Sequence, residues 1–321
     1  MRLSKFVALA CAAIAVPLAS AQGTYPDHPI RMVLPFSAGG GTDAVGRIVA
    51  KALGERLKQQ VIVDNRAGAG STMGTDIVAK APPDGYTLLF ASASHSFSPT
   101  VYPKLPYSQD DFIAIAVVNI TPLMVAINPS VPARDLKSFI ALLKANPGKY
   151  TFGSSGQGTT LHIAAEHFVR TAGVEAVHVP YKGEAPAMSD LLGGQVSFMV
   201  GQASTAVPHV KSGKLVGLGI TTPKRMASVP DIPTVSEAGL PGFAAYSWNV
   251  ILAPKGTPRP IIDKLNREIN AVIATPDVQA RFAEFGLEVL EPTTPESAAA
   301  FVTAETNKWA PVIRAAGIKG E

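Results

Sequence analysis

Short apolar runs alternate with helical spacing along most of the chain. Ile30–Leu34 predicts a strand. Val45, Ile48, Val49, Ala52, Leu53 and Leu57 then recur at three- and four-residue intervals, the period of a helix that buries one face. Residues 61–63 predict the next strand and residues 86–91 another. Leu136, Phe139, Ile140 and Leu143 mark a second amphipathic helix, stopped by Pro147-Gly148. Further strands are predicted at 177–181, 196–200 and 215–220. Thr294 is placed to cap a helix with Pro295 at its first position, where the missing N–H is not needed, running through Phe301 and Trp309. Strands alternating with helices argue for α/β sheets with parallel pairing.

The first residues differ in kind from the rest. Arg2 and Lys5 precede an apolar stretch at 6–18, and Ala19-Ser20-Ala21 follows as a small-x-small pattern. This is the layout of an export signal, too short to span a bilayer, and it predicts a mature chain from Gln22. The reading places the protein in the periplasm. Cleavage would remove Cys11, the only cysteine, so the mature chain would rest on its core rather than on disulfides. The remaining 300 of 321 residues suffice for two domains. The apolar run at 112–127 is broken by Asn119, Thr121 and Pro122, and it reads as two buried strands rather than a membrane span. Those strands meet at Thr121-Pro122, where the chain is expected to leave a first domain and return near 247–252. The expected division is 1–21 signal, 22–122 with 248–321 as the first domain, and 123–247 as the second. Removing Arg2 and Lys5 takes the 28 basic residues to 26 against 24 acidic, with no basic stripe, so nucleic acid is not expected as a partner.

Two glycine-rich loops carry the chemistry. Pro35-Phe36-Ser37-Ala38-Gly39-Gly40-Gly41-Thr42-Asp43 lies between a strand and a helix. Its glycines let the backbone approach a ligand, and free N–H groups at the helix start suit an anion. Gly153-Ser154-Ser155-Gly156-Gln157-Gly158-Thr159-Thr160 repeats the arrangement in the second half. Facing each other, the two loops would grip one carboxylate with neutral donors. Softer candidates follow strand ends or helix starts: Ser94, His95, His162, Tyr181, Ser204 and Trp248, the last as a cleft floor.

The competing motifs fail on spacing. Gly39-x-Gly41-x-x-Ala44 with Asp64 fits a relaxed dinucleotide fingerprint, but four residues separate it from its strand. Gly153-Ser154-Ser155-Gly156-Gln157 lacks the final glycine of a nucleophile elbow. His162 and His167 are five apart and cannot share a metal as an i, i+4 pair does. No catalytic residue, metal or cofactor is therefore expected.

These loops, with Asp64-Asn65-Arg66-Ala67-Gly68-Ala69-Gly70, Pro83-Asp84-Gly85-Tyr86, Val179-Pro180-Tyr181-Lys182-Gly183 and Pro230-Asp231-Ile232-Pro233-Thr234, resemble the tripartite tricarboxylate transporter substrate-binding proteins, also called the Bug or TctC family. The resemblance runs in one order along nearly all of the mature chain. It implies an α/β, two-domain periplasmic binding protein fold (type II-like, a Venus flytrap) with two crossing hinge strands. It also implies a monomer that holds a ligand carboxylate on both loops, partly through water. The solute would pass to a two-subunit membrane permease driven by an ion gradient. One departure stands out: Asn249-Val250 follows Ser247-Trp248 where an aromatic or aliphatic residue and a glycine are expected. The expectation is a solute-binding protein for a small carboxylate, with no catalysis. The alternative from another class is an exported hydrolase or lyase acting on a small carboxylic acid through Asp43, His95 or His162.

Overall fold

The computed structural model describes residues 25–320. The export signal read at 1–21 lies outside the described residues. Beyond them, the alternation of apolar runs resolves into strands and helices in the order the spacing predicts. Strand β1 (Ile30–Leu34) leads into helix α1 (Gly41–Leu57), then β2 (Val61–Asn65), α2 (Thr72–Ala79), β3 (Thr87–Ser92) and α3 (Ser94–Val101). The long strand β4 (Phe112–Ile127) follows. A second alternating series comes next: α4 (Leu136–Ala145), β5 (Thr151–Ser154), α5 (Thr160–Ala172), β6 (Val177–Pro180), α6 (Glu184–Leu192), β7 (Phe198–Gln202), α7 (Ala203–Lys211) and β8 (Val216–Ile220). The chain returns through β9 (Tyr246–Pro254) and ends in α8 (Arg259–Ile273), α9 (Pro276–Glu284) and α10 (Pro295–Ala315).

Strand β1 pairs in parallel with β2 and β3, and β9 runs antiparallel between β3 and β4. Residues 112–122 of β4 pair with β9, but residues 123–127 pair with β7 and β8. Strand β5 pairs in parallel with β6 and β7. Thus β4 belongs to two groups of strands and changes partner between Pro122 and Leu123. The spacing predicted two strands here; the structure has one. The reason is positional, because proline is tolerated where ladder pairing changes hands.

Each group has its own packing. Ile30, Met32, Leu34, Leu88 and Phe90 are fully buried beneath α1 and α8, which supplies Ile262, Leu265 and Ile269 at intervals of three and four. Such strands are covered on both faces, hence their nearly continuous apolar runs. In the second group Phe198 meets Phe139 edge-on at 5.1 Å and lies 5.5 Å from Phe152. Helix α10 packs on α3 and β4 and also reaches the second group, where Arg170 donates to the Ala316 carbonyl at 2.7 Å. Its start has the cap read at Thr294, which accepts from the Ser297 amide at 3.1 Å, and the Ser297 side chain completes a capping box. Among the described residues no helix is long and apolar enough to cross a membrane.

Candidate functional site

The two strand groups face each other across a narrow cavity. Its walls are built largely from helix starts. Gly41, Thr42 and Asp43 open α1, Ser94 opens α3, Thr160 and Leu161 open α5, Glu184 opens α6, and Gln202 precedes α7. The first amides of a helix have no acceptor within it, and they carry the positive end of the helix dipole. Five such starts converge here. Among the described residues no lysine, arginine or histidine lines the space.

The two sides already touch. Gln202 Nε2 donates to Thr42 Oγ1 at 3.0 Å, and the Thr160 amide donates to Ser94 Oγ at 3.1 Å. The Gly41 amide donates to Glu184 Oε2 at 3.3 Å. Backbone approach is close enough that a Cβ on Gly183 would strike Ser37 Oγ, and one on Gly70 would strike the Gln157 carbonyl. Both glycines have positive φ, so each position demands glycine twice over.

Most of the first loop lines the cavity. Phe36, Ser37, Gly40, Thr42 and Asp43 line the cavity, while Ala38 and Gly39 are exposed at its rim. Burial opposes the charge of Asp43, but hydrogen bonds from Arg47, the Gly39 amide and Asn65 outweigh it and hold its pKa below the usual carboxylate range. Asp43 is thus committed to shaping its own loop.

The second loop divides. Ser155 and Thr160 line the cavity together with Ser94. Ser154, Gly158, Thr159 and His162 stand behind them and fix the loop. Ser154 Oγ lies 2.6 Å from His178 Nε2, the Gly158 amide donates to His162 Nδ1 at 3.0 Å, and Thr159 Oγ1 donates to the Gly156 carbonyl at 2.7 Å. His162 and His178 stack at 3.8 Å. Burial, with His162 alongside, pushes the His178 pKa down to about 3.

The remaining candidates fall elsewhere. His95 is buried against Tyr107 and Phe112, outside the cavity wall, and burial pushes its pKa down to about 4. Tyr181 lines an adjoining open groove that shares Phe36 and Ser155 with the cavity, and it donates to Asp190 at 2.6 Å. Ser204 is buried close to Gly41, and its Oγ has no partner. Trp248 is fully buried under α10 and donates to Glu305 at 3.2 Å. Its neighbour Ser247 faces the cavity instead, because successive strand residues point to opposite faces. The unexpected Asn249 does not line the cavity; its Nδ2 donates to the Ala91 carbonyl at 3.3 Å.

Glu184, Gln202, Leu161 and Ser247 line the cavity without having been singled out from sequence. Gln202 ends a strand and Glu184 starts a helix after Gly183, positions where α/β proteins gather ligands, so the signal was present. Among the described residues no group of three or more His, Cys, Asp or Glu is placed to hold a metal.

A cavity between two α/β strand groups, walled by helix starts and crossed by paired long strands, defines a solute-binding protein of the periplasmic binding type. The comparisons agree. The chain resembles the structure of the periplasmic binding protein BugD at 37% identity and a TM-score of 0.89, covering 92% of this chain and 100% of that one. A Rhodopseudomonas palustris structure with adipate matches at 32% identity and a TM-score of 0.89, covering 92% and 99%. The MatC protein of the same species, with bound malate, matches at 32% and 0.86, covering 90% and 100%. Protein BugT of Bordetella pertussis is 38% identical over 314 residues, 97% of this chain and 95% of BugT. The model for the tripartite tricarboxylate transporter family receptor matches residues 45–318. The chain belongs to that receptor family.

Proposed function

We propose that this protein captures a small carboxylate-bearing solute in the periplasm and hands it to the two-subunit membrane permease of a tripartite transporter. The observation that carries the reading is the convergence of five helix starts on a cavity without a cationic side chain. Unpaired amides and hydroxyls, with the dipole field behind them, bind a carboxylate without a fixed countercharge. The adipate and malate in two similar structures support the ligand class. The export signal read at 1–21 supports the location.

Closure is proposed to run about β4 and β9, with 22–122 and 248–321 moving as one body and 123–247 as the other. Hydrogen bonds such as Gln202–Thr42 and Thr160–Ser94 would be made on closing and lost on opening. The protein acts by binding and release alone. Asp43 is held by three donors, His95 is away from the cavity, and His162 accepts from a backbone amide, so none is set as a free base beside a nucleophile.

Calorimetric titration with small carboxylic acids and their primary amides tests the reading. Binding of one or more acids, with no binding of the matching amide and recovery of the acid unchanged, is the expected result. Equal binding of acid and amide, or turnover of either, would overturn it.

A further inference from the structure

The cavity wall contains a buried carboxylate, Glu184, that carboxylate capture does not use and that is not paired with a cation as Asp43 is. Glu184 is only 5% exposed and sits in the first turn of α6. Its two oxygens are treated differently. Oε1 accepts from the Gln202 amide and from Thr205 Oγ1, both at 2.7 Å. Oε2 accepts only from Gly41, at the long distance of 3.3 Å. Charged acceptors ordinarily take several shorter bonds.

The contrast with Asp43, the other acid in the wall, is informative. Asp43 is paired with Arg47 at 3.0 Å. Among the described residues Glu184 has no cation beside it, and no lysine, arginine or histidine lines the cavity. Ser204 Oγ, buried a residue beyond the start of α7, also lacks a partner. Burial pushes the Glu184 pKa upward, the response of a carboxyl whose charge is poorly compensated. A ligand with only carboxylates would add like charge to this place. A ligand that also carries a cationic N–H group would supply what Oε2 lacks.

We propose that Glu184 makes the cavity selective for zwitterionic amino-carboxylates over isosteric acids without nitrogen. On entry, the ligand carboxylate takes the Gly41 amide and its neighbours, and the ligand ammonium takes Glu184 Oε2 in exchange. Glu184 thus holds the donor that the solute's own carboxylate claims on binding. This inference rests on the carboxylate reading above.

The test uses the mature chain at neutral pH and matched pairs differing by one ammonium: aspartate against succinate, glutamate against glutarate, 3-aminopropanoate against propanoate. In any pair that binds, the nitrogen-bearing member is expected to bind at least about tenfold more tightly, the worth of one charge-assisted hydrogen bond. In Glu184→Gln that advantage should fall by about tenfold. Wild-type protein that prefers the nitrogen-free members, or a preference unchanged in Glu184→Gln, would overturn the inference and leave carboxylate capture standing. Failure of every acid in every pair would overturn both. The wild-type pairs decide the matter even if the variant does not fold.

Discussion

The amide of Gly41 and the carboxylate of Glu184 meet at 3.3 Å, joining the start of α1 to the start of α6 across the cavity. Neither helix has a side-chain cap. Each leaves its first amides open, and each faces the other half of the molecule. The cavity wall is therefore made of groups that the local fold leaves unsatisfied.

Gly40 tests how closely the halves must approach. Its φ of −83° suits any residue, so a side chain there leaves the isolated first loop unstrained. A Cβ would already lie 3.4 Å from Glu184 Cβ, and the branches of valine would press further. Gly40→Val is expected to weaken solute binding by at least about tenfold, the effect of 1–3 kcal/mol of overpacking on closure. Its unliganded melting temperature should stay near wild type. Wild-type affinity in the purified variant would contradict the tight approach.

Glu184 also affects stability without ligand. Its folded pKa is raised by burial, so the folded protein disfavours the ionised form that neutral pH imposes. The contribution is unfavourable above the folded pKa, and it vanishes as pH falls below the ordinary carboxylate range. Glu184→Gln should therefore be more stable than wild type at neutral pH, with the gain lost below about pH 4. Urea unfolding at the two pH values measures this. A variant less stable at neutral pH would contradict it.

His95 and His178 set the acid limit. Burial lowers their pKa values to about 4 and about 3, so the folded state keeps them neutral while the unfolded chain protonates them below about 6.5. Protons bound only by the unfolded state lower stability as pH falls. Stability should decline from about pH 6.5 toward pH 4, by up to roughly 1.4 kcal/mol per pH unit for each histidine. His95→Phe, which keeps the ring packing, should make that decline shallower by up to one proton's worth. An unchanged pH profile would contradict the assignment to His95.

Glu305 anchors β9 to α10. Trp248 and Trp309 both donate indole N–H groups to its Oε2 at 3.2 Å, and Lys308 reaches Oε1 at 3.3 Å. Glu305→Leu would leave two buried indoles unpaired and should destabilise the protein by about 2–4 kcal/mol. A denaturant midpoint close to wild type would count against this role.

The apolar runs read the fold well because period is a local property. Met32 and Leu34 belong to a strand covered on both faces, and Leu136, Phe139 and Leu143 to a helix with one buried face. Pro122 misled because a proline is expected to end a strand, and only the change of pairing partner explains why β4 continues. The two glycine-rich loops were visible for a similar reason: close backbone approach restricts residue type at the position itself. Trp248 was misplaced as a cleft floor because strand alternation turns it toward α10 and Ser247 toward the cavity, a choice that depends on what lies on each face. His95 follows a strand end as ligand residues do, yet its ring turns into Tyr107 and Phe112. Glu184 and Gln202 gain their meaning from Gly41 and Thr42, more than 140 residues earlier in the chain, and no local pattern encodes that pairing.

Thermal unfolding of the purified mature protein against small carboxylic acids and their neutral amides tests carboxylate capture most directly. A ligand at about 100 times its dissociation constant stabilises by about 2.7 kcal/mol, enough to raise the midpoint by several degrees. Such a rise is expected with one or a few acids and none with the matching amides. A rise of equal size with the amides, or none with any acid for protein shown by native mass spectrometry to be free of ligand, would contradict it.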